Sequence, residues 1–325
     1  MVSNVTNPLL RVVDLKTYYK TSAGLVRAVD GVSFEVYKDE TFCVVGESGC
    51  GKSTLALSII RLVPYPGEIV GGKIIYRGTD LLKLPESEMR KIRGKEIAMI
   101  FQNPMNSLNP VFTIGFQIAE PPVIHFNMDG RSAWRRAVEL IGKVRMPDPE
   151  VRARNYPHVL SGGMRQRSMI AMMISCEPKL LLADEPTTSV DVTVQAQLLN
   201  LLMDIKRERR MSMVLITHNF GLVAEVCNRV AVMYAGKIVE LGPVREVFRN
   251  PVHPYTRGLM KCLPIGTKRK EQLYVIPGQP PNLIEPPPGC RFHPRCPHAM
   301  EKCKKEEPPL TEVEPNHYVA CYLRR

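Results

Sequence analysis

The sequence predicts an α/β protein built on a parallel sheet. Three features point to it. Short apolar runs alternate with stretches of helical period along most of the chain. A glycine-rich loop stands between a strand pattern and a helix pattern, at residues 46–54. Leu180–Ala183 is a wholly apolar run that ends in two acids, the pattern of a strand buried on both faces.

Leu10–Val13, Val32–Val36 and Thr41–Val45 read as strands, with Gly24, Asp30 and Gly31 between them as turn residues. Ser53–Leu62 has a helical pattern, and Lys73–Tyr76 and Ile97–Phe101 are further strands. Residues 103–160 change character. Ser132–Val144 reads as a helix holding the only tryptophan, Trp134, and Pro121, Pro122, Gly130, Pro147 and Pro149 are expected to break the helices here. Met164–Ser175 is helical. Val194, Leu198, Leu201, Leu202 and Ile205 share one helical face, and Met213–Ile216 is a buried strand. Ala231–Tyr234 and Lys237–Glu240 flank Ala235-Gly236 and predict a hairpin. Beyond about Pro243, prolines at 251, 254, 264, 277, 280, 281 and 286–288 predict an irregular tail that needs a staple. No motif recurs in tandem.

The 325 residues carry a formal charge of +12, and 44% of them are hydrophobic, enough for a sizeable core. Basic residues are dispersed, with only short runs at Arg207–Arg210 and Lys268–Lys270, which fits a solvated basic surface better than a nucleic-acid site. No apolar run approaches the roughly 20 residues that span a bilayer. Met1–Lys16 lacks the pattern of a secretory signal, so the chain is expected to stay in the cytoplasm. Of nine cysteines, Cys290, Cys296, Cys303 and Cys321 crowd the end, a cluster that in a reducing compartment suggests metal before disulfides.

Gly46-Glu47-Ser48-Gly49-Cys50-Gly51-Lys52-Ser53-Thr54 matches the phosphate-loop pattern G-x-x-x-x-G-K-[ST] at every fixed position, in its required strand–loop–helix setting. The glycines let backbone N–H groups wrap a phosphate, and the helix start adds positive potential. Lys52 is expected to reach the β- and γ-phosphates and Ser53 to ligate Mg²⁺. Asp184 and Glu185 close the apolar run about 130 residues later. One acid can hold Mg²⁺ through water while the other orients and deprotonates the attacking water. Leu160-Ser161-Gly162-Gly163-Met164-Arg165-Gln166-Arg167 is a small-residue loop opening a helix, a second anion-binding terminus or a plain Ser N-cap.

Flanked by the phosphate loop and the acidic strand in that order, the Ser161–Gly163 segment resembles the signature of ABC ATPases. The resemblance covers essentially the whole chain. It implies a P-loop NTPase cassette, ATP and Mg²⁺ as ligands, and ATP hydrolysis coupled to transport. It also implies an N-terminal antiparallel β subdomain and a helical subdomain at about 103–160, within an ATP-binding domain over 1–245. Tyr19 resembles the aromatic that stacks on adenine. Gln102, in Phe101-Gln102-Asn103-Pro104, resembles the Mg²⁺-sensing glutamine. Asp191, in Thr188-Ser189-Val190-Asp191, resembles the loop that speaks across the dimer, and His218 the switch histidine on the γ-phosphate. Lys38-Asp39-Glu40 departs from the family, which usually has Gly before the Glu, and this is expected to alter turn geometry only.

Asn250-Pro251-Val252-His253-Pro254-Tyr255-Thr256 resembles the hallmark of peptide-permease ATPases, those of oligopeptide, dipeptide and nickel importers. Met164 resembles the D-type of the two non-identical ATPases in such systems. The resemblance therefore implies a heterodimer with a second ATPase, two transmembrane permease subunits, an extracytoplasmic solute-binding protein and a peripheral place on the cytoplasmic membrane face. An oligosaccharide importer is an alternative, and nucleic-acid work by a non-transport cassette a lesser one. The extension at 246–325 holds the four cysteines. Their spacings contain no CxxC pair, so spacing alone leaves zinc, an iron–sulfur cluster or free thiols open. Gly289-Cys290-Arg291-Phe292-His293-Pro294-Arg295-Cys296-Pro297 resembles tails that carry a [4Fe–4S] cluster, with His293 and His298 as spare donors for zinc.

Overall fold

A computed structural model describes residues 7–102, 107–187, 191–262 and 274–323. Asn103-Pro104, Thr188-Ser189-Val190, Pro264 and Lys268–Lys270 lie outside the described residues. In chain order the elements begin with strands β1 (Leu10–Thr21), β2 (Gly24–Val36) and β3 (Thr41–Val45), helix α1 (Lys52–Ile59), β4 (Gly67–Tyr76) and β5 (Thr79–Asp80). Then come α2 (Glu86–Ile92), β6 (Ile97–Ile100), α3 (Ile114–Phe126), α4 (Gly130–Lys143), α5 (Pro149–Arg154), α6 (Gly162–Met173) and β7 (Leu180–Asp184). Next are α7 (Val192–Glu208), β8 (Ser212–Thr217), α8 (Phe220–Val226), β9 (Arg229–Tyr234), β10 (Lys237–Pro243), α9 (Val244–Arg249) and α10 (Pro254–Lys261). The chain ends with α11 (Glu301–Lys305), β11 (Thr311–Glu314) and β12 (His317–Val319). Two compact units emerge: one runs to Lys83 and resumes at Ile216, the other is Leu84–Leu215.

The first unit contains an antiparallel sheet of order β2-β1-β4-β5. Its long strands alternate buried and exposed positions, as one-sided burial requires. In the turn to β3, Asp39 has φ 61°, where glycine sits without strain, and the Glu40 carboxylate accepts the Tyr37 N–H at 2.7 Å. The same unit holds the run β11-β12-β10-β9-β3. β3 and β9 are parallel, from Phe42 opposite Arg229 to Val45 opposite Val232. All five residues of β3 are buried, and the strand delivers the chain into Gly46. β9 and β10 form the expected hairpin, with Ala235 and Gly236 both at positive φ.

The tail is more regular than its prolines suggest. β11 and β12 pair with each other, and β12 adds to β10 through Glu240 opposite Val319. The reason is buried and polar. The fully buried Glu240 carboxylate accepts the Val252 and His253 N–H groups at 2.9 and 3.0 Å and contacts His317 Nε2 at 2.8 Å. One β10 acid thus pins both ends of the extension, since a buried carboxylate is tolerated only when its oxygens are hydrogen-bonded.

In the second unit β7 lies between β6 and β8, and β6 and β7 are parallel and fully buried. α3 overturns one expectation: Pro121 and Pro122 lie inside it instead of ending it. The helix forgoes two N–H donors, but Ile114, Ile118, Ala119 and Pro122 form a buried face, and packing outweighs the local penalty. It stops at Asn127 in the left-handed conformation. Gly115 lets neighbours close in, since a Cβ there would lie 2.8 Å from the Trp134 ring and 2.9 Å from Ala153 Cβ.

Candidate functional site

In the first unit the phosphate loop is shaped by close approach. A Cβ on Gly51 would stand 2.0 Å from the Ala28 carbonyl oxygen, and one on Gly46 would stand 2.1 Å from that of Met233. Gly46, Gly49 and Gly51 all have positive φ, at 157°, 78° and 105°. Gly51, at the N-cap of α1, has no side chain to cap the helix, and an uncapped helix start is a place for an anion. Lys52 is buried and folds back, its Nζ donating to the Gly46 and Glu47 carbonyls at 2.8 and 2.9 Å. A cation is thereby held over the loop and the helix start, the charge pattern a polyphosphate needs. Cys50 Sγ lies 3.8 Å from Lys52 Nζ, and burial pushes its thiol up, so this cysteine is an inert small residue. The Tyr19 hydroxyl is 3.3 Å from Thr54 Oγ1, which brings the candidate adenine-stacking ring to the start of α1. His218 is exposed just after β8, and Asn219 caps α8 by accepting the Gly221 and Leu222 N–H groups.

In the second unit β7 delivers Asp184, which is 4% exposed, and then Glu185, at φ 43°. Gln102, two residues past β6, donates from Nε2 to Glu185 Oε2 at 2.9 Å. Two residues 83 apart in sequence thus meet at the ends of two parallel strands. Ser161 caps α6 by accepting the Met164 N–H at 3.4 Å, and Ser161 and Gly162 stay exposed. Asp191 caps α7 by accepting the Val194 N–H at 3.0 Å. Sequence reading passed over Gln166. It is 2% exposed, and its amide donates to the Pro186 carbonyl, tying the signature helix to the residue after Glu185. A polar side chain on the inward face of α6 is the one sequence sign of that link.

The four C-terminal cysteines line one pocket, with His253, His293 and His298 also on its wall. Burial and the neighbouring Cys303, Cys321 and Cys296 push the Cys290 thiol up to about 11. Burial raises Cys296 and Cys321 likewise. Among the described residues, no three His, Cys, Asp or Glu side chains form a ready-made group for a metal ion. Four thiols on one pocket wall are the donor type of an iron–sulfur cluster and, with His293 and His298, of zinc.

A phosphate loop fed by β3 in the first unit, and an acid pair fed by β7 with a capped signature helix in the second, are the parts of a nucleotide-hydrolysing cassette. Comparison with known proteins agrees. Residues 29–188 match the family model "ABC transporter", and residues 239–303 match "Oligopeptide/dipeptide transporter, C-terminal region". The chain is 47% identical to the dipeptide transport ATP-binding protein DppD of Bacillus subtilis, over 97% of this chain and 95% of that one. It is 47% identical to the oligopeptide transport ATP-binding protein OppD of Escherichia coli, over 97% and 93%. A dimeric structure of MJ0796, a bacterial ABC transporter cassette, superposes with a TM-score of 0.66 at 25% identity, covering 73% of this chain and 99% of that one. The chain belongs to the ABC transporter ATP-binding proteins of the oligopeptide/dipeptide type, and it is an ATPase with the ABC cassette fold.

Proposed function

We propose that this chain powers the import of peptides by hydrolysing ATP at a site built from the residues above. The observation that carries the reading is the buried Lys52 ammonium, held above the uncapped start of α1 by two loop carbonyls. In this reading the N–H groups of Gly46–Thr54, including Ser48, cradle the phosphates, and Tyr19 stacks on adenine. Ser53, Gln102 and Asp184 hold Mg²⁺, which when bound neutralises charge on the β- and γ-phosphates. Glu185, kept in place by the Gln102 amide, orients the attacking water and takes its proton. His218 contacts the γ-phosphate. Ser161, Gly162, Gly163 and Asp191 act on nucleotide bound by the second subunit. Glu185→Gln keeps MgATP binding and lowers turnover at least about 100-fold, whereas Lys52→Ala loses binding. Unchanged hydrolysis in Glu185→Gln removes Glu185 as the base.

Peptide as the cargo rests on the match at 239–303 and on the names of the two relatives. Uptake of labelled peptides against labelled oligosaccharides in the assembled importer separates the two cargoes. The working partners in this reading are a second, non-identical ATPase, two permease subunits and, indirectly, a solute-binding protein. Among the described residues no helix is long and apolar enough to cross a membrane, which suits a subunit docked at the cytoplasmic face. Val111, Phe112, Phe116 and Ile124 are exposed apolar groups in the expected helical subdomain and suit contact with the permease. The division into a cassette over 1–245 and an extension over 246–325 is likewise a proposal, and the extension packs within the first compact unit.

The extension is proposed to hold a [4Fe–4S] cluster on Cys290, Cys296, Cys303 and Cys321 as a staple for a proline-rich segment. Zinc is the second reading, favoured by His293 and His298 on the same pocket wall. Anaerobically purified protein with about four iron and four sulfide per chain supports the cluster. One equivalent of zinc without iron replaces it with the second reading.

A further inference from the structure

The phosphate loop is gripped from outside itself. Glu47, the residue after its first glycine, is held by two residues of the extension. Arg295 makes a bidentate pair with the Glu47 carboxylate, NH1 to Oε2 at 2.7 Å and NH2 to Oε1 at 3.1 Å. The guanidinium is 5% exposed and the carboxylate 26%. The Tyr255 hydroxyl, fully buried, accepts the Glu47 N–H at 2.9 Å. Each gripping residue is itself fixed. Arg295 donates from Nε to the Pro277 carbonyl at 2.9 Å and lies over the Tyr234 ring, 5.8 Å from its centroid. Tyr255 packs on Tyr234 and Phe292, with ring centroids 4.6 and 5.4 Å apart. The turn carrying Arg295 lies between Cys290 and Cys296, and the Cys290 carbonyl accepts the His293 N–H at 2.9 Å. Glu47 in turn lends its own carbonyl to the Lys52 ammonium. A continuous chain of contacts therefore runs from the cysteine pocket through Arg295 and Glu47 to the lysine that meets the phosphates.

We propose that Arg295 and Tyr255 are positioning residues for nucleotide binding, and that through Glu47 they hold the phosphate loop in its anion-receiving shape. The cysteine-rich extension thereby sets the affinity for MgATP. A bidentate, largely desolvated Arg–carboxylate pair has the directionality this requires, which a lone point charge lacks. The loop otherwise relies on glycines, whose conformational freedom makes an outside restraint effective.

The inference rests on the phosphate-loop assignment, so the test separates the two. MgATP affinity is measured by calorimetry on the full-length chain for the wild type, Lys52→Ala, Glu47→Gln, Arg295→Gln, Arg295→Lys and the Glu47→Gln/Arg295→Gln double variant. The melting temperature without nucleotide is recorded for each. Arg295→Gln and Glu47→Gln are each expected to weaken MgATP binding about tenfold. The double variant is expected to be no weaker than either single one, because both break the same pair, and Arg295→Lys to recover part of the loss. A fall in melting temperature with unchanged MgATP affinity overturns the proposal, since Arg295 is then only glue for the extension. Additive losses in the double variant overturn it too. If Arg295→Gln does not fold, Glu47→Gln and Arg295→Lys decide alone: unchanged affinity in both overturns the proposal. Unchanged binding in Lys52→Ala would sink the phosphate-loop assignment instead, whatever Arg295 does.

Discussion

The phosphate loop and the irregular stretches of the C-terminal extension solve the same problem, fixing chain that is neither α-helix nor strand, by opposite means. In the loop the restraint is the absence of side chains. Gly46 and Gly51 lie so close to neighbouring carbonyl oxygens that no other residue fits. In the extension the restraint is the presence of long charged ones. Arg291 reaches Asp30 across 261 positions and Arg295 reaches Glu47 across 248. A restraint made of missing atoms is short-range and repeats as a motif. One made of paired charges is long-range and leaves no local pattern.

The sharpest way to break the comparison is Gly51→Ala. The new Cβ would overlap the Ala28 carbonyl, a backbone group of β2 that cannot rotate away, at a φ that L-residues rarely adopt. The expected loss is at least about 4 kcal/mol, at the exceptional end for a point change, together with MgATP binding. Chemical denaturation and calorimetry measure both. A well-folded, nucleotide-binding Gly51→Ala protein would mean the loop is not shaped by close approach.

The same contrast explains what was legible in the sequence. Thr41–Val45 falls on β3 residue for residue, because an apolar run abutting a glycine cluster leaves little choice. The Gln102–Glu185 contact joins an acid legible from its place at the end of an apolar strand to a glutamine legible only by resemblance. What escaped were features decided by distant partners. Pro121 and Pro122 suggested a break, yet the buried face of α3 carries the helix through them. The β11–β12 pair hides among prolines and charges, and it forms because Val319 joins a small buried cluster with Val252 and Cys321 while Glu240 anchors His317. Nothing in a run such as Cys290-Arg291-Phe292 says that its arginine will be buried on an aspartate of β2.

Arg291→Leu tests the other side of the comparison. Arg291 is 6% and Asp30 13% exposed by side chain, and the guanidinium also donates to the Ala235 carbonyl. Removing one partner of a buried pair costs about 3–5 kcal/mol when the other is left bare. Asp30 keeps the Tyr18 hydroxyl at 2.6 Å and Lys237 at 3.9 Å, so about 2 kcal/mol is expected. The pH dependence follows from Asp30. Burial is the largest influence and pushes its carboxyl up. Tyr18, Lys237 and Arg291 together outweigh it and hold the group below the ordinary value. The unfolded chain therefore binds the proton first as pH falls, and the stability from this site is present above about pH 4 and lost below it. Urea melts at pH 7 and pH 3 should show that loss in the wild type and less of it in Arg291→Leu. An identical acid response in both removes Asp30 as the anchor.

Gly49→Ala gives the smallest effect and sharpens the comparison most. Gly49 shares the loop and a positive φ of 78° with Gly51, yet a Cβ there would meet nothing within 4 Å. Only the backbone penalty applies, roughly 1–2 kcal/mol for an L-residue in left-handed space. Alanine also restricts the unfolded chain, which returns about 0.4–1 kcal/mol. The net loss without nucleotide should be about 1 kcal/mol, far below that of Gly51→Ala at two positions' distance. Denaturation of the two variants side by side tests this. Equal losses would show that backbone conformation alone shapes the loop, and that the nearby carbonyls of Ala28 and Met233 are incidental.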